Sequence, residues 1–198
     1  MSRPKTKNRR SKRPASHKNR SKRAILFAPW RIEFILGPRE QGCFLCQAGR
    51  LPHPAEREWK GLLLLARDEH ALVMLNRFPY TGGHLLIAPR RHTANFAGLS
   101  DEENRALWAF SRRAVEILGR VMQPHGFNLG MNLGKAAGAG VEDHLHQHVL
   151  PRWNGDTNFL PVVAHTHTIP VALEKLWEDL RPSFREVASP GPGARAPG

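Results

Sequence analysis

Residues 100–126 read SDEENRALWAFSRRAVEILGRVMQPHG, and that stretch admits one kind of element. Ala106, Leu107, Phe110, Ala114, Ile117, Leu118 and Val121 recur at helical spacing, so one stripe of a long helix is apolar. Ser100 and Glu103 form an S-x-x-E capping box at its start, and Pro124 marks its end. Such a helix must lie against a surface, and the flanking apolar runs can supply a sheet. GLLLLARD (61–68) and ALVMLNR (71–77) read as strands, with the short DEH between them as a hairpin turn. GGHLLIAPRRH (82–92) reads as a third strand, ended by Pro89. After the helix come FNLGMNLG (127–134), a Gly/Ala loop KAAGAG (135–140) and a strand rich in histidine. Consecutive strands, one long helix and two more strands predict an α+β fold with an antiparallel sheet of about five strands, not alternating β-α units. IPVALEKLWEDL (169–180) predicts a C-terminal helix with Pro170 in its first turn. GPREQGCFLC (37–46) reads as a turn-rich loop.

The formal net charge is +13, but eleven Lys and Arg fall in residues 1–23, which contain no Asp or Glu; without them +2 remains for 24–198. That segment lacks apolar side chains to bury. The reading is a disordered basic tail over 1–23, one domain over 24–186, and a flexible tail, VASPGPGARAPG, over 187–198. The basic tail suits non-specific polyanion binding, or no more than solvation, while the near-neutral domain weakens a nucleic-acid reading of the whole. No apolar run approaches the ~18 residues of a membrane span, and no apolar h-region marks a secretory signal, so a cytoplasmic location without membrane contact is expected. In that setting Cys43 and Cys46, spaced C-x-x-C, point to metal binding or redox chemistry rather than a structural disulfide.

EDHLHQHVLPRW (142–153) places His144, His146 and His148 at every second position. On a strand, alternate side chains share a face and stand roughly 6.6 Å apart, with Leu145, Gln147 and Val149 on the other face. Three such histidines could be metal ligands, surface residues, or a nucleophile with its helpers. The loop before them contains Gly134, Gly138 and Gly140, and glycines let backbone N–H groups approach an anion. A small-residue loop running into histidines favours phosphate held beside a nucleophile. A neutral imidazole attacks phosphorus without prior deprotonation if its other nitrogen keeps the proton against a carbonyl or neighbour. A second histidine on the same face can protonate a departing oxygen.

HLHQHVLP, with GGHLLIAPRRH and MNLG upstream, resembles the histidine triad (HIT) superfamily. LFAPWR, CFLC, PHGFNLGMNLG and HLHQHVLPRWNGDTNFLPV bring the likeness nearer to its diadenosine-tetraphosphate phosphorylase branch, over about residues 25–182. The resemblance implies a HIT-like fold and nucleotidyl transfer through a covalent nucleotidyl-histidine. It implies His146 as nucleophile on the α-phosphorus, His148 at the phosphates and leaving group, and His84 as the supporting histidine. It puts Asn132 near the reacting phosphate and Asn76 toward the nucleoside, although Asn76 also reads as a turn residue. Gln147 stands where the family motif has a hydrophobic residue, on the face away from the chemistry. Many relatives carry Gln or Ser in the glycine loop; Gly138, Ala139 and Gly140 offer only backbone N–H groups, and Lys135 could add charge. Trp153 either packs at a strand end or stacks on a base.

The resemblance also implies a structural zinc held by Cys43, Cys46, His92 and His144, in a closed four-ligand set. The alternative for the cysteines is a pair of free thiols. His165 and His167 are ligands by type but read as surface residues. No organic cofactor is expected. A homodimer joining two sheets is implied by the family alone. Three functions follow: phosphorolysis of diadenosine tetraphosphate to ATP and ADP; hydrolysis of dinucleoside polyphosphates or nucleoside phosphoramidates to a nucleoside monophosphate; or a nucleotide- or nucleic-acid-binding protein that uses the basic tail.

Overall fold

The structure is a computed structural model and describes residues 42–52, 56–156 and 172–185. The expected tails, both expected domain boundaries, His165, His167 and Pro170 lie outside the described residues. In chain order the elements are α1 (Phe44–Arg50), α2 (Glu56–Gly61), β1 (Leu64–Arg67), β2 (Ala71–Leu75), β3 (Leu85–Pro89), α3 (Asp101–Met122), β4 (Gly126–Met131), β5 (Gln147–Arg152) and α4 (Leu173–Arg185). Short 3-10 turns occupy Phe96–Gly98 and Lys135–Ala137.

The five strands form one sheet in the order β1-β2-β3-β5-β4, and every neighbouring pair is antiparallel. The fold is therefore α+β, as the element order predicts. β2 and β3 are buried along their whole length, because α3 covers one face and other elements cover the rest. α3 lies across β2, β3 and β5, and α4 lies beside it against β1. Both halves of the capping box form: Glu103 N–H donates to Ser100 Oγ at 3.2 Å, and Ser100 N–H donates to the Glu103 carboxylate at 2.8 Å. Gln123 ends the helix at φ 49°, one residue before Pro124. Six of the seven predicted apolar positions are buried; Val121 is exposed, because the helix has run past the sheet by its last turn.

Three local readings change. Cys43 and Cys46 sit at the N-cap and in the first turn of α1, not in a loop, and α1 is held down from outside itself. Arg67 and Arg90 both donate to the Gly49 carbonyl, at 2.6 and 2.9 Å. α2, which local sequence does not announce, is fixed by buried Trp59, with the Arg181 guanidinium 4.5 Å from its ring centroid. The C-terminal helix extends beyond Leu180 and includes Pro182. Its Trp177 and Arg181 donate to the carbonyls of Leu64 and Leu65, each at 2.8 Å, and tie it to β1.

Candidate active site and metal centre

The histidine stretch is not one strand. β5 begins at Gln147, so only His148 of the three belongs to it; His144 and His146 lie in the extended segment before it. There the Leu145 N–H bonds to the Thr93 carbonyl at 2.8 Å, taking the place of a ladder partner. The alternation of faces survives. Leu145, Gln147 and Val149 are buried, and Gln147 places its amide 2.7 Å from the Ser111 hydroxyl on α3. The position that the family motif fills with an apolar side chain is thus a buried polar pair between sheet and helix.

His144 is fully buried. Its Nε2 lies 2.8 Å from the Pro89 carbonyl, which can only accept, so the proton sits on Nε2 and Nδ1 keeps its lone pair. That Nδ1 faces Cys43 Sγ at 3.2 Å, Cys46 Sγ at 3.5 Å and His92 Nδ1 at 3.2 Å. Cys46 Sγ lies 3.2 Å from His92 Nδ1, and the four atoms all fall within 4.8 Å of one another. Ligands placed tetrahedrally around zinc at the usual bond lengths stand about 3.3 Å apart for two nitrogens and about 3.6 Å for nitrogen and sulfur. The four residues therefore fit such an ion. A ligating imidazole whose other N–H is anchored on a carbonyl is the arrangement that metal sites favour. Burial and the adjacent Cys43 push the Cys46 thiol up, a cost that a bound dication reverses by taking the thiolates.

His146 hangs from the same residue by a different atom. Its Nδ1 donates to the His144 backbone carbonyl at 2.9 Å, which leaves Nε2 with a free lone pair. Burial holds its imidazole below the ordinary range, so it is neutral at physiological pH. The His148 ring lies 5.0 Å from it, nearly edge-on. His148 Nδ1 faces His84 Nε2 at 2.8 Å, and its own Nε2 is buried without a hydrogen-bond partner among the described residues. Burial, reinforced by His146, pushes the His148 imidazole down to about 4.

His84 is fully buried just ahead of β3. The turn that delivers it needs Gly83, at φ +80°; a Cβ there would stand 2.7 Å from Met122 Sδ and 3.0 Å from Pro151 Cγ. Asn76 caps the same turn. Its Oδ1 accepts from the Phe78 N–H at 2.9 Å, and its Nδ2 lies 3.2 and 3.5 Å from the two nitrogens of the His84 ring. Its amide is engaged as the turn reading requires, and it also supports His84. Tyr80 was not found from sequence. Its ring stacks on His84 at 4.9 Å, and its backbone N–H donates to His84 Nδ1 at 3.1 Å. The one available signal was a lone tyrosine four residues before that histidine.

The other predicted residues are placed as follows. Asn132 is half-buried one step beyond Met131, whose partner across the sheet is Gln147, so the backbone sets it beside His146. Gly138 and Ala139 turn their N–H groups back onto the Lys135 and Gly134 carbonyls, at 3.0 and 3.4 Å. Of the three loop residues, Gly140 is the one with no such bond among those described. Trp153 is half-buried in a turn after β5, its N–H on Asp156 at 3.3 Å, and Asp156 is held by Arg152.

A family model described as the HIT domain matches residues 62–155, the stretch that carries the sheet, α3 and the histidines. A HIT-like protein of Mycoplasma pneumoniae is 32% identical over 114 residues, covering 58% of this chain and 77% of that one. The chain belongs to the HIT family. An AP-4-A phosphorylase of Mycobacterium tuberculosis is 41% identical over 111 residues. That match covers 56% of this chain and 57% of the relative, so the chain spans little more than half the length of the phosphorylase it resembles. Among solved structures, a Zn-bound histidine triad family protein from Mycobacterium smegmatis superposes with a TM-score of 0.56 at 27% identity, over 73% of this chain and 94% of that one. The HIT match begins at residue 62, so Cys43 and Cys46 come from outside the segment that defines the family.

Proposed function

We propose that this HIT protein transfers nucleotidyl groups through His146, most specifically in the phosphorolysis of diadenosine tetraphosphate to ATP and ADP. The observation that carries this reading is the His146 tautomer. With Nδ1–H held on the His144 carbonyl, the Nε2 lone pair is available to a phosphorus atom at neutral pH. Attack forms the P–N bond and breaks the bridging P–O bond, whose electron pair leaves with the triphosphate. Inorganic phosphate then attacks the same phosphorus, and the pair of the breaking P–N bond returns to Nε2. The His148 N–H meets the phosphoryl oxygens, and Asn132 and the Gly140 N–H are placed to bind them. Trp153 borders the nucleotide. The likeness to the mycobacterial phosphorylase supports phosphate as the acceptor.

A zinc ion on Cys43, Cys46, His92 and His144 would be structural: with four protein ligands it fixes α1 and the His144 backbone and leaves no open position. A homodimer is supported by β4, which closes the sheet order and exposes Leu129 and Leu133, with Trp108 exposed on α3. No helix among the described residues is long and apolar enough to cross a membrane. A cytoplasmic enzyme whose residues 1–23 hold polyanions non-specifically completes the reading.

Product analysis tests the reaction. Diadenosine tetraphosphate should yield ADP and ATP only when phosphate is supplied, and His146→Ala should abolish both. AMP and ATP without phosphate would make the protein a hydrolase instead. Sedimentation at micromolar concentration tests the dimer, and salt-sensitive nucleic-acid retention lost on deletion of 1–23 tests the tail.

A further inference from the structure

The hydrogen bonds behind His148 run in one direction only. The Tyr80 backbone N–H points at His84 Nδ1 at 3.1 Å, and a backbone N–H can only donate. His84 Nδ1 is therefore the acceptor, and the ring proton of His84 sits on Nε2. That nitrogen faces His148 Nδ1 at 2.8 Å, so His148 Nδ1 must accept in turn. The proton of His148 is left on Nε2, the buried nitrogen with no partner among the described residues. A His148 imidazolium would set two N–H groups against each other across 2.8 Å, so the contact admits only the neutral ring. If His148 surrendered its Nε2 proton, His84 could replace it only by becoming an anion itself, because neither the Tyr80 peptide nor the Asn76 amide has a proton to pass on.

We propose that His148 lends the leaving group a hydrogen bond but not a proton, which confines the site to substrates whose leaving group departs as an anion. This rests on the nucleotidyl-transfer reading above and names its substrate class. A polyphosphate leaves well in this way. The P–O bond breaks, the electron pair stays on oxygen, and an oxyanion whose conjugate acid has a pKa of about 6 needs no proton. An amine cannot. The P–N bond of a phosphoramidate breaks productively only if a proton reaches nitrogen, and the chain Tyr80–His84–His148 has none to give. Tyr80 and His84 act here as positioning residues.

The test is a leaving-group series. Adenosine 5′-phosphate esters of phenols of graded acidity, and adenosine 5′-phosphoramidate, are given to the full chain, and nucleotidyl-enzyme formation is measured by rapid quench. The rate should fall about tenfold for each unit of phenol pKa, and the phosphoramidate should be at least about 100-fold slower than the most acidic phenol ester, the usual scale of missing general-acid help. A flat series, or a phosphoramidate handled as fast as the esters, overturns the proposal and leaves nucleotidyl transfer standing. No nucleotidyl-enzyme from any of these compounds removes both. His84→Asp supplies a carboxylate that accepts from Nδ1–H and sustains an imidazolium, so it should narrow the ester-to-phosphoramidate gap by about tenfold or more. Should that variant not fold, the wild-type series and the nitrogen-15 spectrum of His148 still decide. A bare Nδ1 with Nε2–H is expected, and a proton found on Nδ1 overturns the proposal.

Discussion

At His148 the protonation state also governs how the fold responds to acid. The folded imidazole sits at about 4, against an ordinary value of 6.5 that the unfolded chain regains. Between those values the unfolded state binds a proton that the folded state refuses. Its contribution to stability is complete above about pH 6.5 and is lost as the pH falls toward 4. Thermal melts across that window should show the wild type losing Tm more steeply than His148→Asn; parallel curves would remove His148 as the cause. Gln147 makes a second prediction. Ser111→Ala leaves its buried amide short of a partner and should cost about 1–3 kcal/mol in urea unfolding, while Ser111→Ala with Gln147→Leu should recover most of that loss. The candidate histidines and cysteines were all legible as residue types. Their division of labour was only partly so, because it depends on a carbonyl at Pro89 and a peptide N–H at Tyr80, and a backbone atom leaves no trace in residue identity.

Among the elements, β1, β2, β3 and α3 could be read directly, since their periodicity and the capping box act within a few residues. The cysteine helix α1 could not. Seven residues do not form a stable helix unaided, and its support comes from Arg67 and Arg90, which reach it from the sheet. The histidine segment was misread for the opposite reason. Its polar/apolar alternation is that of a strand, but the Leu145 N–H goes to the Thr93 carbonyl instead of a neighbouring strand, so the ladder starts only at Gln147. The turn before β3 carries the sharpest prediction at this scale. Gly83→Ala must place a Cβ against Met122 and Pro151 at positive φ, and should cost at least about 1–2 kcal/mol. Because the turn also aims His84, nucleotidyl-enzyme formation should slow beyond what the loss of folded protein explains. A variant with wild-type stability and rate would show that the turn has room to spare.

For the whole molecule, the four-residue cluster joins an N-terminal helix to the far side of the sheet. Cys46→Ser should reduce bound zinc from near one per chain to near none by elemental analysis. It should also raise hydrogen exchange over residues 42–52 and lower Tm by about 5 °C or more, the scale of a loss near 2 kcal/mol in a chain of this size. Unchanged zinc content would dismiss the cluster as a metal site. The cluster has a further property, set by the order in which a ribosome makes it. Cys43 emerges 101 residues ahead of His144, and Cys46 emerges 46 residues ahead of His92. At usual synthesis speeds the nascent chain carries two unmatched thiols for about 5–20 s before the last member of the set exists. The finished protein shields that pair. The unfinished one cannot, so its vulnerability to oxidants is greatest in the seconds before translation brings the clasp together.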